Sequence, residues 1–112
     1  MGTIDDYLAG LDATDAAVIA HTYDVALEVA PEAVQGFGYG MPALVYRGKS
    51  LLSVMRARRH FGMYPFSPTA IIAVLPLLDG VDHAKGTIRF TEPLPDDTVR
   101  ALVTARVAEI DG

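Results

Sequence analysis

Apolar residues recur every three or four positions in the N-terminal part of the chain, and this spacing predicts two α-helices. Thr3 is expected to cap the first helix, which is short. The second is predicted from about Thr14 to Ala30, because Pro31 lacks the N–H donor that a longer helix would need. Its predicted buried face carries Val18, Thr22, Val25 and Val29, flanked by Ile19, Tyr23 and Ala26.

Two further helices are predicted later in the chain. Ser67 followed by Pro68 is typical of a helix start, with serine as the cap and proline in the first turn. Pro76 limits that helix, and Asp96 is expected to cap the last one. The last helix keeps helical spacing through Val99, Leu102, Val103, Val107 and Ile110.

Between the second and third helices, short apolar runs separated by turn residues predict strands. A turn is expected at Met41-Pro42, and Arg47-Gly48-Lys49 is expected to close a hairpin. Strands joined by short turns are antiparallel, so the pattern predicts an α+β fold with a sheet of about five strands packed against helices. The predicted strands are the glycine-rich segment around Phe37 and Tyr39, then Ala43–Tyr46, Ser50–Arg58, Phe61–Tyr64 and Gly86–Thr91.

Alternation along these strands also predicts which large side chains are buried, because successive residues of a strand face opposite sides of the sheet. The residues expected in the core are Tyr39, Met41, Phe61, Tyr64, Ile88 and Phe90. The same alternation would place Arg56 and Arg58 on one face of a strand.

The chain has 112 residues, of which 51% are apolar and 21% charged, and this predicts one folded domain over residues 1–112. The absence of cysteine excludes thiol nucleophiles, disulfides and iron–sulfur ligation by this chain. The N-terminus has no basic, apolar leader and no segment is apolar enough for a membrane span, so we expect a cytoplasmic protein.

Charge is distributed unevenly around a net charge of −5, which argues against nucleic acid as the partner. Residues 1–32 contain seven acids and no Lys or Arg, whereas residues 33–60 contain only basic charges. The two blocks either neutralise each other across the fold or form separate cation-attracting and anion-attracting surfaces. The basic residues are Arg47, Lys49, Arg56, Arg58 and Arg59.

One candidate site lies on the second helix, where His21, Asp24 and Glu28 share a face. Imidazole and carboxylate ligands suit iron, manganese or zinc, although a tight site would need a ligand from a second element. The alternative is a solvated polar face.

A second candidate site is basic and aromatic. Its guanidinium groups suit a carboxylate or phosphate, and the tyrosines could line the pocket. The candidate residues are Lys49, Arg56, Arg58 and His60 with Tyr39, Tyr46 and Tyr64. The alternative is that these charges only neutralise the acidic helices. No serine or histidine lies in a recognisable catalytic context, so a binding protein is favoured over an enzyme.

Several blocks of sequence resemble a bacterial family of unknown function, the YdhG-like domains. They are Phe37-Gly38-Tyr39-Gly40-Met41-Pro42-Ala43, Arg47-Gly48-Lys49, His60-Phe61-Gly62-Met63-Tyr64-Pro65 and Lys85-Gly86-Thr87-Ile88-Arg89-Phe90. The opening Ile4-Asp5-Asp6-Tyr7-Leu8 and the closing Pro93-Leu94-Pro95 with Arg106 extend the resemblance over nearly the whole chain.

This resemblance implies an α/β sandwich that has been likened to frataxin, and an iron chaperone that delivers weakly bound iron to iron–sulfur or haem assembly proteins. Iron would bind carboxylates of the first helical region, which correspond to Asp5, Asp6, Asp12, Asp15, Asp24 and Glu28. Gln35 stands where the family commonly has glutamate, and an amide supplies no negative charge to a cation.

Three function classes therefore follow. The first is an iron-handling protein that uses the acidic helices. The second is a binding module for a small anionic ligand or a partner protein near Tyr39, Arg56, Arg58 and His60. The third is a homo-oligomer whose glycine-rich strand edge is the interface.

Overall fold

The computed structural model describes residues 2–112. Its helices are α1 (Thr3–Ala9), α2 (Ala13–Val29), α3 (Pro68–Ala73) and α4 (Asp96–Asp111), and a short 3₁₀ turn covers Leu75–Leu77. Its strands are β1 (Val34–Gly38), β2 (Met41–Tyr46), β3 (Lys49–Arg56), β4 (Phe61–Tyr64), β5 (Asp82–His83) and β6 (Ile88–Phe90).

The strands form one antiparallel sheet in the order β1-β2-β3-β4-β6-β5, so the α+β prediction is confirmed. The sheet has six strands rather than about five, because β5 was missed. Both of its residues are polar and exposed, so no apolar alternation marks it in the sequence. Pairing with β6 creates this strand.

The start of α1 differs from the prediction. Thr3 is inside the helix rather than its cap, and its hydroxyl donates to the backbone oxygen of Gly36 in β1. The first N–H groups are satisfied from another part of the chain, since Gln35 Oε1 accepts from Ile4 N at 2.9 Å and from Asp5 N at 3.0 Å. This side chain therefore ties α1 to the sheet.

The other helix starts were predicted with mixed success. The cap at Ser67 is confirmed, because its hydroxyl oxygen accepts from Ala70 N at 3.1 Å. The α2 cap is Asp12, two residues before the predicted start, and Asp96 lies inside α4 after Pro95. The buried residues of α2 are Ile19, Thr22, Tyr23, Val25 and Ala26, all of which belong to the predicted face or its flanks, whereas Val18 and Val29 are half-buried.

Turn positions decide where the strands end. The predicted hairpin at Arg47-Gly48 is confirmed, whereas the first turn lies at Tyr39-Gly40 and Met41 begins β2. β3 ends at Arg56, and the N–H of Ala57 donates to the carbonyl of His60 at 2.8 Å. Arg58 therefore lies in a turn, and the prediction that Arg56 and Arg58 share a strand face is wrong.

The core lies between the sheet and the helices: α2 and α4 contact each other and β3, while α1 contacts β1 and β2. Burial of Phe61, Ile88 and Phe90 is confirmed, and Met41 and Tyr64 are half-buried. The prediction for Tyr39 is wrong, because its side chain is 92% exposed. The turn at Tyr39-Gly40 interrupts the strand alternation on which the prediction relied.

No helix within residues 2–112 combines the length and the apolar character that a bilayer crossing requires.

Candidate functional site

The predicted metal-binding residues of α2 contact groups on α4. His21 Nε2 lies 2.9 Å from Asp96 Oδ1, and Glu28 Oε2 accepts from Arg100 Nη2 at 3.1 Å. The hydrogen bond that Arg100 donates to Glu28 is the main cause that raises the pKa of the Arg100 guanidinium. Two of the predicted ligands thus contribute to packing between the helices at an exposed surface.

The other two predicted metal ligands lie apart. Asp15 Oδ2 accepts from Arg56 Nε at 3.1 Å, and Asp24 is exposed at the edge of a crevice that it shares with Asp5. Within residues 2–112, no group of three or more His, Asp or Glu side chains is arranged to hold a metal ion. The structure therefore does not bring His21, Asp24, Glu28 and Asp15 together.

Arg56 is held on two sides. Its Nε pairs with Asp15, both side chains being about a quarter exposed, and its guanidinium carbon lies 4.8 Å from the ring centre of Phe61. This pair agrees with mutual neutralisation of the acidic and basic blocks. Lys49 and Arg58 are exposed.

Tyr39 and Tyr64 line the same cavity. Its volume is about 230 Å³, and its lining is Tyr39, Met41, Tyr64, Phe66, Ser67, Pro68 and Gly86; we call it the Tyr39 cavity. Tyr39 and Phe66 lie with their ring centres 5.6 Å apart at an angle of 34°. Sequence reasoning missed Phe66, which stands between Pro65 and the cap Ser67 in a segment read as a connection.

Backbone conformation holds this aromatic pair in place. Tyr39 has φ of 50° and Phe66 has φ of 59°, both in the left-handed region that bulky residues rarely adopt. The ring of Phe66 also lies on Gly38, where a Cβ would come within 2.6 Å of its Cζ. A side chain at this position would displace the ring, so glycine leaves the room that Phe66 occupies.

The Tyr39 cavity joins three sequence blocks that are far apart in the chain. Tyr39 and Met41 come from the first block of the YdhG resemblance, Tyr64 comes from the second, and Gly86 comes from the third. The fold therefore gathers the most distinctive motifs of the chain around one small, largely apolar space.

Tyr39 directly follows β1, which is an edge strand of the sheet. The side chains of Val34 and Phe37 are each 63% exposed, on opposite faces of this strand. We call the edge strand β1 together with Tyr39 and Phe66 the Tyr39 surface. No residue of β1 is charged.

A charged pair lies beside the cavity. Ser67 is buried and lines the cavity, and its hydrogen bond to Glu109, followed by that of Arg106, lowers the pKa of the Glu109 carboxyl. Arg106 Nη1 donates to Glu109 Oε1 at 2.8 Å, and its Nη2 donates to Ser50 O at 2.9 Å. The polar groups around this end of the sheet are thus engaged with one another.

His60 lines a different and larger space, which we call the His60 crevice. Its volume is about 480 Å³, and β6, the loop after it and the segment before β5 supply the other walls. The predicted anion-binding residues are consequently divided, with Tyr39 and Tyr64 at the small cavity and His60 at the crevice.

The architecture is that of an α+β protein with one antiparallel sheet and four helices packed against it. It is similar to the crystal structure of YdhG, a protein of the DUF1801 family from Bacillus subtilis, with a TM-score of 0.85. The match covers 97% of this chain and 91% of that one at 15% sequence identity, which shows a shared fold. No family model and no curated protein matches the chain.

Proposed function

We propose that this chain is a YdhG-like protein-interaction domain that binds an extended segment of a partner protein at the Tyr39 surface. The observation that carries the proposal is Tyr39 itself, a large aromatic ring that is 92% exposed at the end of an edge strand and lies 5.6 Å from the ring of Phe66. Exposed aromatic residues are among the side chains that most often anchor protein interfaces.

An extended segment fits the edge strand. β1 has a paired strand, β2, on one side only, and it carries no charge, proline or bulge of the kind that protects edge strands. One of its carbonyl groups, that of Gly36, already accepts from the Thr3 hydroxyl of α1, so an added strand would use the remaining backbone groups. The opposite edge, β5, has only two residues, Asp82 and His83, which are polar. Addition of a strand is therefore favoured at β1, where main-chain hydrogen bonds would supply affinity.

The Tyr39 cavity supplies a specificity element. Its volume of about 230 Å³ and its apolar lining suit one aliphatic or proline side chain, whereas a whole cofactor needs more space. The side chains of a segment paired with β1 would alternate between the two faces of the sheet, and one on the face of the cavity would enter this space. The partner is thus expected to offer an uncharged, β-prone stretch with one small apolar anchor.

A peptide selection tests the proposal. Peptides selected from a random display library on the wild-type chain are measured against Tyr39→Ser and against Ile72→Ser, a matched control whose side chain is 64% exposed on α3. We expect Tyr39→Ser to weaken binding about tenfold or more, as loss of an aromatic anchor does, and Ile72→Ser to leave it unchanged. Equal affinities for all three proteins would contradict the proposal.

The same experiment separates a partner from self-association. If β1 pairs with a second copy of the chain, sedimentation will show a wild-type dimer that Tyr39→Ser dissociates, and the selected peptides will compete with dimer formation. A monomeric wild type that binds peptides supports the partner interaction. A dimer unaffected by Tyr39→Ser would place self-association elsewhere.

A further inference from the structure

The arginines of this acidic chain differ in whether the fold gives them a carboxylate partner. Within the described part of the chain, residues 2–112, only Arg58 and Arg59 lack a carboxylate partner. The arginines that form ion pairs are Arg47, Arg56, Arg89, Arg100 and Arg106. Two adjacent unneutralised arginines in a chain of net charge −5 are a local concentration of positive charge.

These two arginines precede His60, which lines the His60 crevice. The hydrogen bond from Ala57 N to His60 O closes the turn, so Arg58 and Arg59 form its exposed tip directly beside the crevice residue. Arg89 enters the same crevice from β6. His60 and Arg89 therefore line the crevice itself, and the turn that carries Arg58 and Arg59 ends at His60.

Arg89 retains free hydrogen-bonding capacity. Its Nη1 donates to Asp82 Oδ2 at 3.2 Å, and a guanidinium carries five N–H donors, so one ion pair leaves most of them for a ligand. Thr91 adds a hydroxyl to the lining. Asp82 and Glu92 also line the crevice and repel an anion, so a bound anion needs the positive charge of Arg58 and Arg59 as well as that of Arg89.

The remaining lining is apolar. Val81, Phe90 and Leu94 contribute to it, and Phe90 is backed by Phe61 at a ring-centre distance of 5.3 Å. Behind Phe61 lies Arg56, held by Asp15. The floor of the crevice is thus packed against other side chains, and the crevice volume of about 480 Å³ accommodates a small organic molecule.

We infer that the His60 crevice binds a small organic anion, a carboxylate or phosphomonoester with an apolar body. Arg58, Arg59 and Arg89 bind its head, His60 and Thr91 donate to it, and Phe90 and Leu94 contact its body. This site is independent of the Tyr39 surface, because the two share no lining residue.

Titration calorimetry with benzoate and phenyl phosphate, and with inorganic phosphate as the head group alone, tests this inference. The variant is Arg58→Gln/Arg59→Gln, and the matched control is Arg47→Gln/Lys49→Gln, which removes two exposed charges from the β2–β3 turn outside the crevice. We expect the Kd of phenyl phosphate to rise about tenfold or more in the first variant and to stay within about twofold in the control. Inorganic phosphate should bind the wild type more weakly than phenyl phosphate.

NMR chemical shifts of the backbone amides show where phenyl phosphate binds. In the wild type, phenyl phosphate should move the NMR signals of His60, Arg89 and Thr91 and leave those of Tyr39 and Phe66 in place. Equal loss of affinity in both variants would mean non-specific attraction and would overturn the inference. Absence of binding by the wild type at about 10 mM, far above the range of specific ligand affinities, would overturn it as well.

Discussion

The backbone N–H of Val54 donates a 2.8 Å hydrogen bond to the hydroxyl oxygen of Tyr23, joining β3 to α2 inside the core. Two residues further along β3, Arg56 N–H donates to the hydroxyl oxygen of Tyr7 at the same distance. The tyrosines of α1 and α2 thus accept from successive N–H groups on one side of β3.

These two bonds lie on the part of β3 that no longer pairs with β2. The pairing of β2 with β3 extends only as far as Leu44 and Leu52, whereas β3 continues to pair with β4 through Arg56. Pro42 O instead accepts from the Ser53 hydroxyl at 2.7 Å. Tyrosine hydroxyls therefore replace the missing strand partner for backbone groups that would otherwise be unsatisfied.

Tyr23→Phe is expected to lower the free energy of unfolding by about 1–3 kcal/mol, because it leaves the buried Val54 N–H without an acceptor. Tyr7→Phe is the matched control. Its bond is only partly buried, so water can replace the hydroxyl and the loss should be smaller. Urea denaturation measures both, and a Tyr23→Phe protein as stable as the wild type would contradict this account.

The raised pKa of Tyr23 also predicts that the protein loses stability in alkali. Burial, its largest cause, raises the pKa of the Tyr23 hydroxyl from 10.0 to about 12, so the folded state holds this proton more tightly than the unfolded state. The protonated hydroxyl of Tyr23 contributes about 2–3 kcal/mol to the free energy of unfolding. This contribution is complete below pH 10 and is lost as the pH rises to about 12.

The difference between wild type and Tyr23→Phe isolates this effect. Burial also raises the pKa of Tyr46, helped by its hydrogen bond to Asp111, and that contribution is common to both proteins. Thermal melts from pH 9 to 12 should therefore converge as Tyr23 ionises. Curves that stay parallel would show that Tyr23 does not titrate in this range.

Gln35→Ala is expected to destabilise the chain by about 1 kcal/mol, since it removes the acceptor for Ile4 N and Asp5 N at the start of α1. Gln35→Glu keeps that acceptor and places a negative charge near a helix N-terminus, so its stability should stay close to that of the wild type. Thermal melts of the three proteins check the order. Equal losses in the two variants would contradict the capping role.

Arg56→Gln should cost about 1–2 kcal/mol, because it removes both the ion pair with Asp15 and the guanidinium above Phe61. Arg58→Gln serves as the control, because Arg58 has neither contact and should stay within about 0.5 kcal/mol of the wild type. Raising the salt concentration to about 1 M should remove only the ion-pair part. Equal effects of both substitutions in urea melts would contradict this difference.

Phe90→Ala should cost about 3–5 kcal/mol, because Phe90 is 7% exposed and stacked on Phe61. Phe37→Ala removes the same ring from an exposed site and should change the stability by less than about 1 kcal/mol. If Phe90→Ala melts within about two degrees of the wild type, the position of Phe90 in the core is wrong.

The iron-chaperone hypothesis has its own test on α2. It predicts that ferrous iron binds the purified chain in titration calorimetry and that binding disappears in Asp24→Ala/Glu28→Ala. The apo melting temperature should hardly change, because both side chains are exposed and the pair between Glu28 and Arg100 lies at the surface. Manganese, zinc and calcium serve for comparison, and equal iron uptake by both proteins would exclude this face.

Features set by local chemistry could be predicted from the sequence. The cap at Ser67 and the turn at Arg47-Gly48 depend on a few neighbouring residues, and both are confirmed. Burial of Phe61 and Phe90 followed from alternation along regular strands. Tyr39 failed the same rule because a turn, displaced by two residues from its predicted position, ended the alternation.

Partners across the fold were decided only by tertiary structure. Asp15 pairs with Arg56, Gln35 caps α1, and Phe66 supports Tyr39, and in each case the contact depends on how separate elements pack. The type of a residue determines which kinds of interaction it can make. Which partner comes within reach depends on how the whole core packs. For that reason the sequence was sufficient to predict a sheet packed against helices. Only the packing of those elements placed Tyr39 and His60 in two separate cavities.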